Sequence, residues 1–210
     1  MNRQNAAESL GTMLLVASIV GSGIMGERLA NGNAAIALLA NSLATGAALL
    51  ALIATFSSVS GAHFNPLVTL AAVSRKELPL AAALVRSAFQ IAGAIAGAAL
   101  ANLMFDLPAF FTSQHVRSGP GLWLGEILAT FGLILVVRMS GSLVAVPAYI
   151  VGAYWFTSST SFANPAVTIA RTMTDTFSGI RPIDAPAFVA AQVLGCLAAT
   201  WVSRWLRAEK

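Results

Sequence analysis

Two copies of one short phrase, Asn65-Pro66-Leu67-Val68-Thr69 and Asn164-Pro165-Ala166-Val167-Thr168, sit inside stretches too apolar for a water-facing surface. Proline fixes φ and carries no N–H, which suits the first position of a helix, and asparagine suits the cap before it. Each phrase therefore marks the start of a short helix of about ten apolar or small residues, half the length of a bilayer crossing. Non-helical backbone at membrane depth survives only where protein or a water-filled cavity supplies its hydrogen bonds. The two segments are thus expected to be re-entrant and to line something polar. Where they meet end to end at mid-membrane, two side-chain amides and two positive helix ends face one spot, a site for polar, uncharged solutes in single file.

The rest of the chain is membrane-grade. Of its 210 residues 57% are hydrophobic and only 10% charged, against roughly 25% charged in a soluble domain. Apolar runs of about 20 residues mark six spans, at 7–26, 34–56, 80–104, 121–139, 143–160 and 186–206. Turn-forming residues separate them at Glu27–Asn33, Ser74–Pro79, Asp106–Pro120, Arg138–Ser142 and Phe177–Pro186. No A-x-A-like cleavage site follows the first run, which is expected to be a retained span. The fold class expected is an all-α membrane protein: six transmembrane helices plus two re-entrant half-helices, in one domain over 1–210.

Its halves repeat, about 1–105 and about 121–210. Glu8-Ser9-Leu10-Gly11-Thr12 in the first span answers Glu126-Ile127-Leu128-Ala129-Thr130 in the fourth, and Gln90-Ile91-Ala92-Gly93-Ala94 answers Gln192-Val193-Leu194-Gly195-Cys196. Three spans plus one half-helix, taken twice, put the second copy upside down, an inverted repeat with its site at the midplane. Gly93 and Gly97 form a G-x-x-x-G pair suited to a close helix crossing. With both termini in the cytoplasm the inside holds Arg3, Arg75, Lys76, Arg86, Arg138, Arg204, Arg207 and Lys210, and Arg28, Arg117, Arg171 and Arg181 lie outside. That bias fits the positive-inside rule.

Ala7-Glu8 with Gly11-Thr12, then Ser60-Gly61-Ala62-His63-Phe64-Asn65-Pro66, then Asn164-Pro165-Ala166 together resemble the major intrinsic protein family, the aquaporins and glycerol facilitators. The resemblance spans essentially the whole chain. It implies a right-handed bundle with one pore per subunit, a homotetramer, and a location in the bacterial inner membrane. By distance from the two asparagines it assigns a selectivity constriction to Thr45, Gly152, Ser161 and Val167. Water-selective members carry arginine at the position of Val167, histidine at that of Gly152 and a bulky aromatic at that of Thr45. Glycerol facilitators keep the arginine and follow it with aspartate, where this chain has Val167-Thr168. A wide, uncharged constriction of this kind, with the Trp155-Phe156-Thr157 and Phe162-to-Thr168 segments, is similar to the aquaporin-like channels of bacterial arsenic-resistance operons. What that implies is downhill passage of arsenite as neutral As(OH)3, with water, glycerol, urea or ammonia as other candidates.

Several residues admit two readings. Glu8 and Glu126 are either proton-relay carboxylates or, favoured by their recurrence beside both re-entrant segments, acceptors that brace the loop N–H groups. His63 either touches the cytoplasmic pore mouth or braces its loop. Arg171 either pairs with Asp175 at i+4, the preferred reading, or supplies a positive charge in the outer vestibule. Arg86 is expected to snorkel to headgroups, and Cys196 to be a small packing residue beside Gly195.

A formal net charge of +4 is spread over scattered basic residues with no interleaved aromatics, which excludes a nucleic-acid surface. Neither His63 nor His115 has a partner at metal-ligand spacing, so no metal or cofactor is expected. No nucleophile–base set or phosphate-binding glycine loop points to an enzyme. The remaining rival class is an ion-coupled secondary transporter, which also uses inverted repeats and broken helices but needs more ionisable groups at the midplane.

Overall fold

The computed structural model describes residues 2–207; Lys210, counted above among the inside charges, lies outside them. Among the described residues eight helices follow one another: α1 (Arg3–Leu29), α2 (Ala34–Ser60), α3 (Pro66–Val73), α4 (Leu80–Met104), α5 (Pro120–Met139), α6 (Ala145–Phe156), α7 (Pro165–Arg171) and α8 (Ala185–Arg207). Five of them, α1, α2, α4, α5 and α8, are long and apolar enough to cross a membrane.

The run expected to make the fifth span is helical over only 12 residues, in α6. At 1.5 Å per residue that is about 18 Å, short of the ~30 Å hydrocarbon core. The helix ends where Thr157-Ser158-Ser159-Thr160-Ser161 begins, because these hydroxyls offer the backbone other partners. The Thr157 hydroxyl donates to Ala153 O at 2.7 Å and Ser158 Oγ to Gly121 O at 2.8 Å. From there the chain runs irregularly into the membrane to Asn164.

The path of the chain repeats. In the first half α1 crosses both α2 and α4; in the second, α5 crosses both α6 and α8. The G-x-x-x-G expectation has a physical counterpart at the first crossing. A Cβ on Gly93 would overlap the Ser9 carbonyl and one on Gly97 the Met13 carbonyl. Contacts between α2 and α6 close one seam between the halves, while α3 and α7 fill the space between α4 and α8 on the other.

The first half-helix, α3, is held at its far end. Arg138 Nη1 donates to Ala71 O at 3.1 Å and to Ser74 Oγ at 2.9 Å, and Arg204 Nη2 to Ser74 O at 2.9 Å. Two guanidinium groups thus meet the negative end of α3. Arg86 does not snorkel. It is buried and ties α4 to the end of α2 and to α1, through Ser60 O at 3.0 Å and Gln4 Oε1 at 3.1 Å.

Candidate functional site

The two re-entrant loops have one backbone design. Counting back from each asparagine, the residues at −4, −3 and −1 take positive φ: Gly61 (89°), Ala62 (51°) and Phe64 (49°) before Asn65, and Thr160 (62°), Ser161 (52°) and Ala163 (47°) before Asn164. Only Gly61 adopts this region freely; each of the others costs about 1–2 kcal/mol. Something must hold the loops in this shape.

Glu8 and Glu126 do so at matching positions. The Glu8 carboxylate, fully buried, accepts the N–H of His63 (3.0 Å) and of Phe64 (2.7 Å) and the Gln90 side-chain amide (2.8 Å). Glu126 accepts the N–H of Phe162 and of Ala163, both at 2.9 Å, and the Gln192 amide at 2.7 Å. The same glutamines reach Thr69 and Thr168, each at 2.9 Å, and those hydroxyls donate to the carbonyls of Asn65 and Asn164. Each loop is therefore pinned from carboxylate to cap by one closed network.

The asparagines then join the halves. Asn65 Oδ1 caps α3 through Leu67 N (2.9 Å), and Asn164 Oδ1 caps α7 through Ala166 N (3.0 Å) and Val167 N (3.4 Å). Asn65 Nδ2 donates to Ala163 O at 2.8 Å, and Asn164 Nδ2 to Phe64 O at 2.9 Å. An amide has two N–H donors, so one on each asparagine remains for a guest.

Both asparagines line a cavity of about 300 Å³ that runs from Arg75 and Ser140–Leu143 at one end to Arg171 at the other. One wall is apolar, with Ile19, Leu49, Leu133, Val146 and Ile150. The other carries the loops. Among the described residues no donor reaches the carbonyl oxygens of Gly61, Ala62 and His63 or of Thr160, Ser161 and Phe162, which leaves acceptors beside the amide donors.

His63 both braces its loop and lines this cavity. Its Nδ1 lies 3.1 Å from Thr69 Oγ1. Because that hydroxyl already donates to Asn65 O and accepts from Gln90, it is an acceptor toward His63, so Nδ1 carries the proton and Nε2 is left as a hydrogen-bond acceptor.

Comparison with known proteins agrees with this architecture. A model of the family described as "Major intrinsic protein" matches residues 1–142. The chain belongs to the major intrinsic protein family. It is similar to Aquaglyceroporin AqpS of Rhizobium meliloti (strain 1021), with 50% identity over 98% of this chain and 91% of that protein. A probable TIP-type aquaporin of Medicago truncatula is 36% identical over 62% of this chain and 54% of its own length. Among solved structures, the aquaglyceroporin from Plasmodium falciparum superposes with a TM-score of 0.69 over 97% of this chain and 94% of that one, at 22% identity. Members of this family are membrane channels, not enzymes.

Within this major intrinsic protein the structure redistributes the residues assigned to the constriction. Thr45, Ser161 and Val167 line the cavity, and so does Tyr154, whose hydroxyl is 3.3 Å from Thr45 Oγ1. Gly152 does not; it is on the exposed face of α6, with only Phe156 Cε1 within 4.0 Å of a Cβ built there. The wall it was expected to open is filled by Tyr154, which the spacing rule missed. The signal that marks it is the i, i+4, i+8 series Val146, Ile150, Tyr154 along one face of α6.

Arg171 makes no pair with Asp175, whose carboxylate accepts the Gln114 N–H at 2.8 Å. α7 stops at Arg171, so Asp175 is not on the next helical turn. The guanidinium instead stacks on the Phe162 ring, 3.3 Å from its centroid, with Nε donating to Ser178 O. Cys196 packs with Leu67, Val68, Ala71 and Ile134, away from the cavity.

Proposed function

We propose that this protein is a passive channel for small neutral polyhydroxylated solutes, with glycerol and arsenite as As(OH)3 as cargo through an uncharged constriction. One observation carries the reading: two cross-bonded asparagines present one spare N–H each into a cavity whose opposite wall is apolar. Donors and acceptors on one side replace part of a solute's hydration shell, and the greasy side prevents tight binding, as conduction requires. A triol or trihydroxide fits such a lane better than an ion, which would be stripped of water without a counter-charge. Thr45, Tyr154, Ser161 and Val167 form the outer constriction, with Asn65-Pro66-Leu67 and Asn164-Pro165-Ala166 at its centre, and Glu8 and Glu126 act as braces. The printed name of the AqpS relative, an aquaglyceroporin, supports the solute class.

The basic residues clustered at the Arg75, Arg138, Arg204 and Arg207 end support an orientation with both termini cytoplasmic in a bacterial inner membrane. The self-contained cavity in each chain supports one pore per subunit of a homotetramer.

Proteoliposomes diluted into glycerol or arsenite report flux by light scattering. Downhill, non-saturating entry is expected, and uphill accumulation driven by a pH gradient would refute the channel. Val167→Arg places a second guanidinium one turn below Arg171; it should keep some water flux and lose most glycerol and arsenite flux. Parent-like arsenite entry in this variant, at matched protein content, removes Val167 from the constriction.

A further inference from the structure

We propose that Arg171 is the charge-selectivity residue of this channel: seated on Phe162 at the outer end of the cavity, its guanidinium turns cations away while the constriction at Val167 stays uncharged. The proposal rests on the channel reading above and assigns it a filter that the bare Val167 position lacks.

The first support is position. Arg171 is 2% exposed and lines the cavity one helical turn beyond Val167. Its seat is rigid, because Phe162 is itself fixed from three sides. The Phe162 N–H is bound by Glu126, its ring meets Phe188 edge-on at 5.1 Å, and the Arg117 guanidinium sits 5.1 Å from its centroid. The second support is the state of the guanidinium. Only Nε is used by the chain, toward Ser178 O. No acceptor among the described residues takes the fork end of the side chain, which is left to the cavity.

The third support is that no carboxylate among the described residues touches the Arg171 guanidinium. Ion pairs among the described residues are Arg75–Glu77 and Arg181–Asp184. The carboxylates on neighbouring elements are engaged elsewhere: Glu126 with two loop N–H groups and Gln192, Asp175 with Gln114 N, and Asp184 with Arg181 and Arg117 N. Arg117 adds charge of the same sign, its guanidinium held only by the carbonyls of Gly179, Ser159 and Phe177. Two guanidinium groups against the one nearby carboxylate, Glu126, leave a net positive charge, and in low-dielectric surroundings its field reaches several ångströms into the lane. A loop-holding role for Arg171 needs Nε alone and gives no reason for a free fork. Ser161 Oγ, buried on the same wall without a partner, supplies a neutral contact for the hydroxyls that do pass.

Urea and guanidinium are planar molecules of nearly equal size, one neutral and one cationic, and their fluxes into proteoliposomes containing the full chain test the idea. The parent is expected to pass urea and hold guanidinium at the level of empty vesicles. Arg171→Gln should raise the guanidinium-to-urea flux ratio about tenfold or more, and Arg171→Lys should keep the parent ratio. Val167→Glu leaves Arg171 in place but sets a carboxylate one turn below it, and should raise the ratio too; it decides the matter where Arg171→Gln fails to insert. A parent that admits guanidinium as readily as urea overturns the proposal. So does an unchanged ratio in Arg171→Gln or Val167→Glu, even with both fluxes lowered, which is the result a purely structural arginine gives. Absence of both urea and glycerol flux in parent vesicles would instead refute the channel reading beneath it.

Discussion

Glu8→Gln changes one oxygen of a fully buried carboxylate to an amide nitrogen and should disable the channel without preventing insertion. In the parent one carboxylate oxygen takes Phe64 N–H and Gln90 Nε2, and the other takes His63 N–H. If the new amide oxygen keeps the first two partners, the new NH2 faces the His63 N–H, donor against donor. Losing that charge-assisted bond costs about 1.5–3 kcal/mol. The two bonds that survive fall from charged to neutral strength, roughly 1 kcal/mol each. The total, about 3–5 kcal/mol, compares with about 2–4 kcal/mol held in the positive-φ backbone of Ala62 and Phe64. Brace and strain are therefore of similar size, and weakening the brace lets the loop relax. Asn65 then loses register with Ala163 O. Thermal unfolding of purified protein, followed with glycerol flux in vesicles, should show a lowered midpoint and a flux loss far beyond the loss of folded protein. Parent-like flux and midpoint together would show that Glu8 does not hold this loop in shape.

Further outcomes follow from the same geometry. Asn65→Ala with Asn164→Ala removes two caps, each worth about 1 kcal/mol, together with both cross-bonds and both spare donors; flux measured per inserted protein should collapse. Gly152→Ala, on the exposed face of α6, should leave the glycerol-to-water flux ratio unchanged, whereas Tyr154→Phe strips the hydroxyl beside Thr45 and should lower it. Asp184, outside the spans, is held below the usual carboxylate range by its hydrogen bonds from Arg181, with Arg117 N–H adding to the effect. A depressed carboxyl stabilises the fold fully above its unfolded value of about 4 and loses that contribution as pH falls through the folded value. The midpoint gap between parent and Asp184→Asn should thus be open at neutral pH and close in acid below the unfolded value; a constant gap would place the cause elsewhere.

The parts of the site that repeat were legible in the sequence. Glu8 and Glu126, Gln90 and Gln192, Asn65 and Asn164 occur at matching places because both loops solve one hydrogen-bonding problem in the same way. Residues outside the repeat have no second copy to mark their place. Counting back from Asn164 puts Gly152 in the constriction, but the count crosses a loop of hydroxyl residues whose path no helical period describes, and Tyr154 takes the wall. Arg171 and Asp175 have helical spacing, yet α7 ends between them, so their separation carries no helical meaning. The 143–160 run is apolar throughout, and composition alone does not show that the helix stops at Phe156.

The two amide bonds that run between the halves also set an order of assembly. Asn65 reaches Ala163 O and Asn164 reaches Phe64 O, partners about a hundred residues apart in the chain. During synthesis the first re-entrant loop therefore waits in the membrane with its asparagine amide and Phe64 carbonyl unmatched until the second loop is inserted. Unmatched polar groups at that depth are costly, so a folding intermediate holding the first half alone is unstable at the very place where the finished protein conducts. A substitution that delays insertion of the second half should then lower the yield of the first, with no residue of the first half altered.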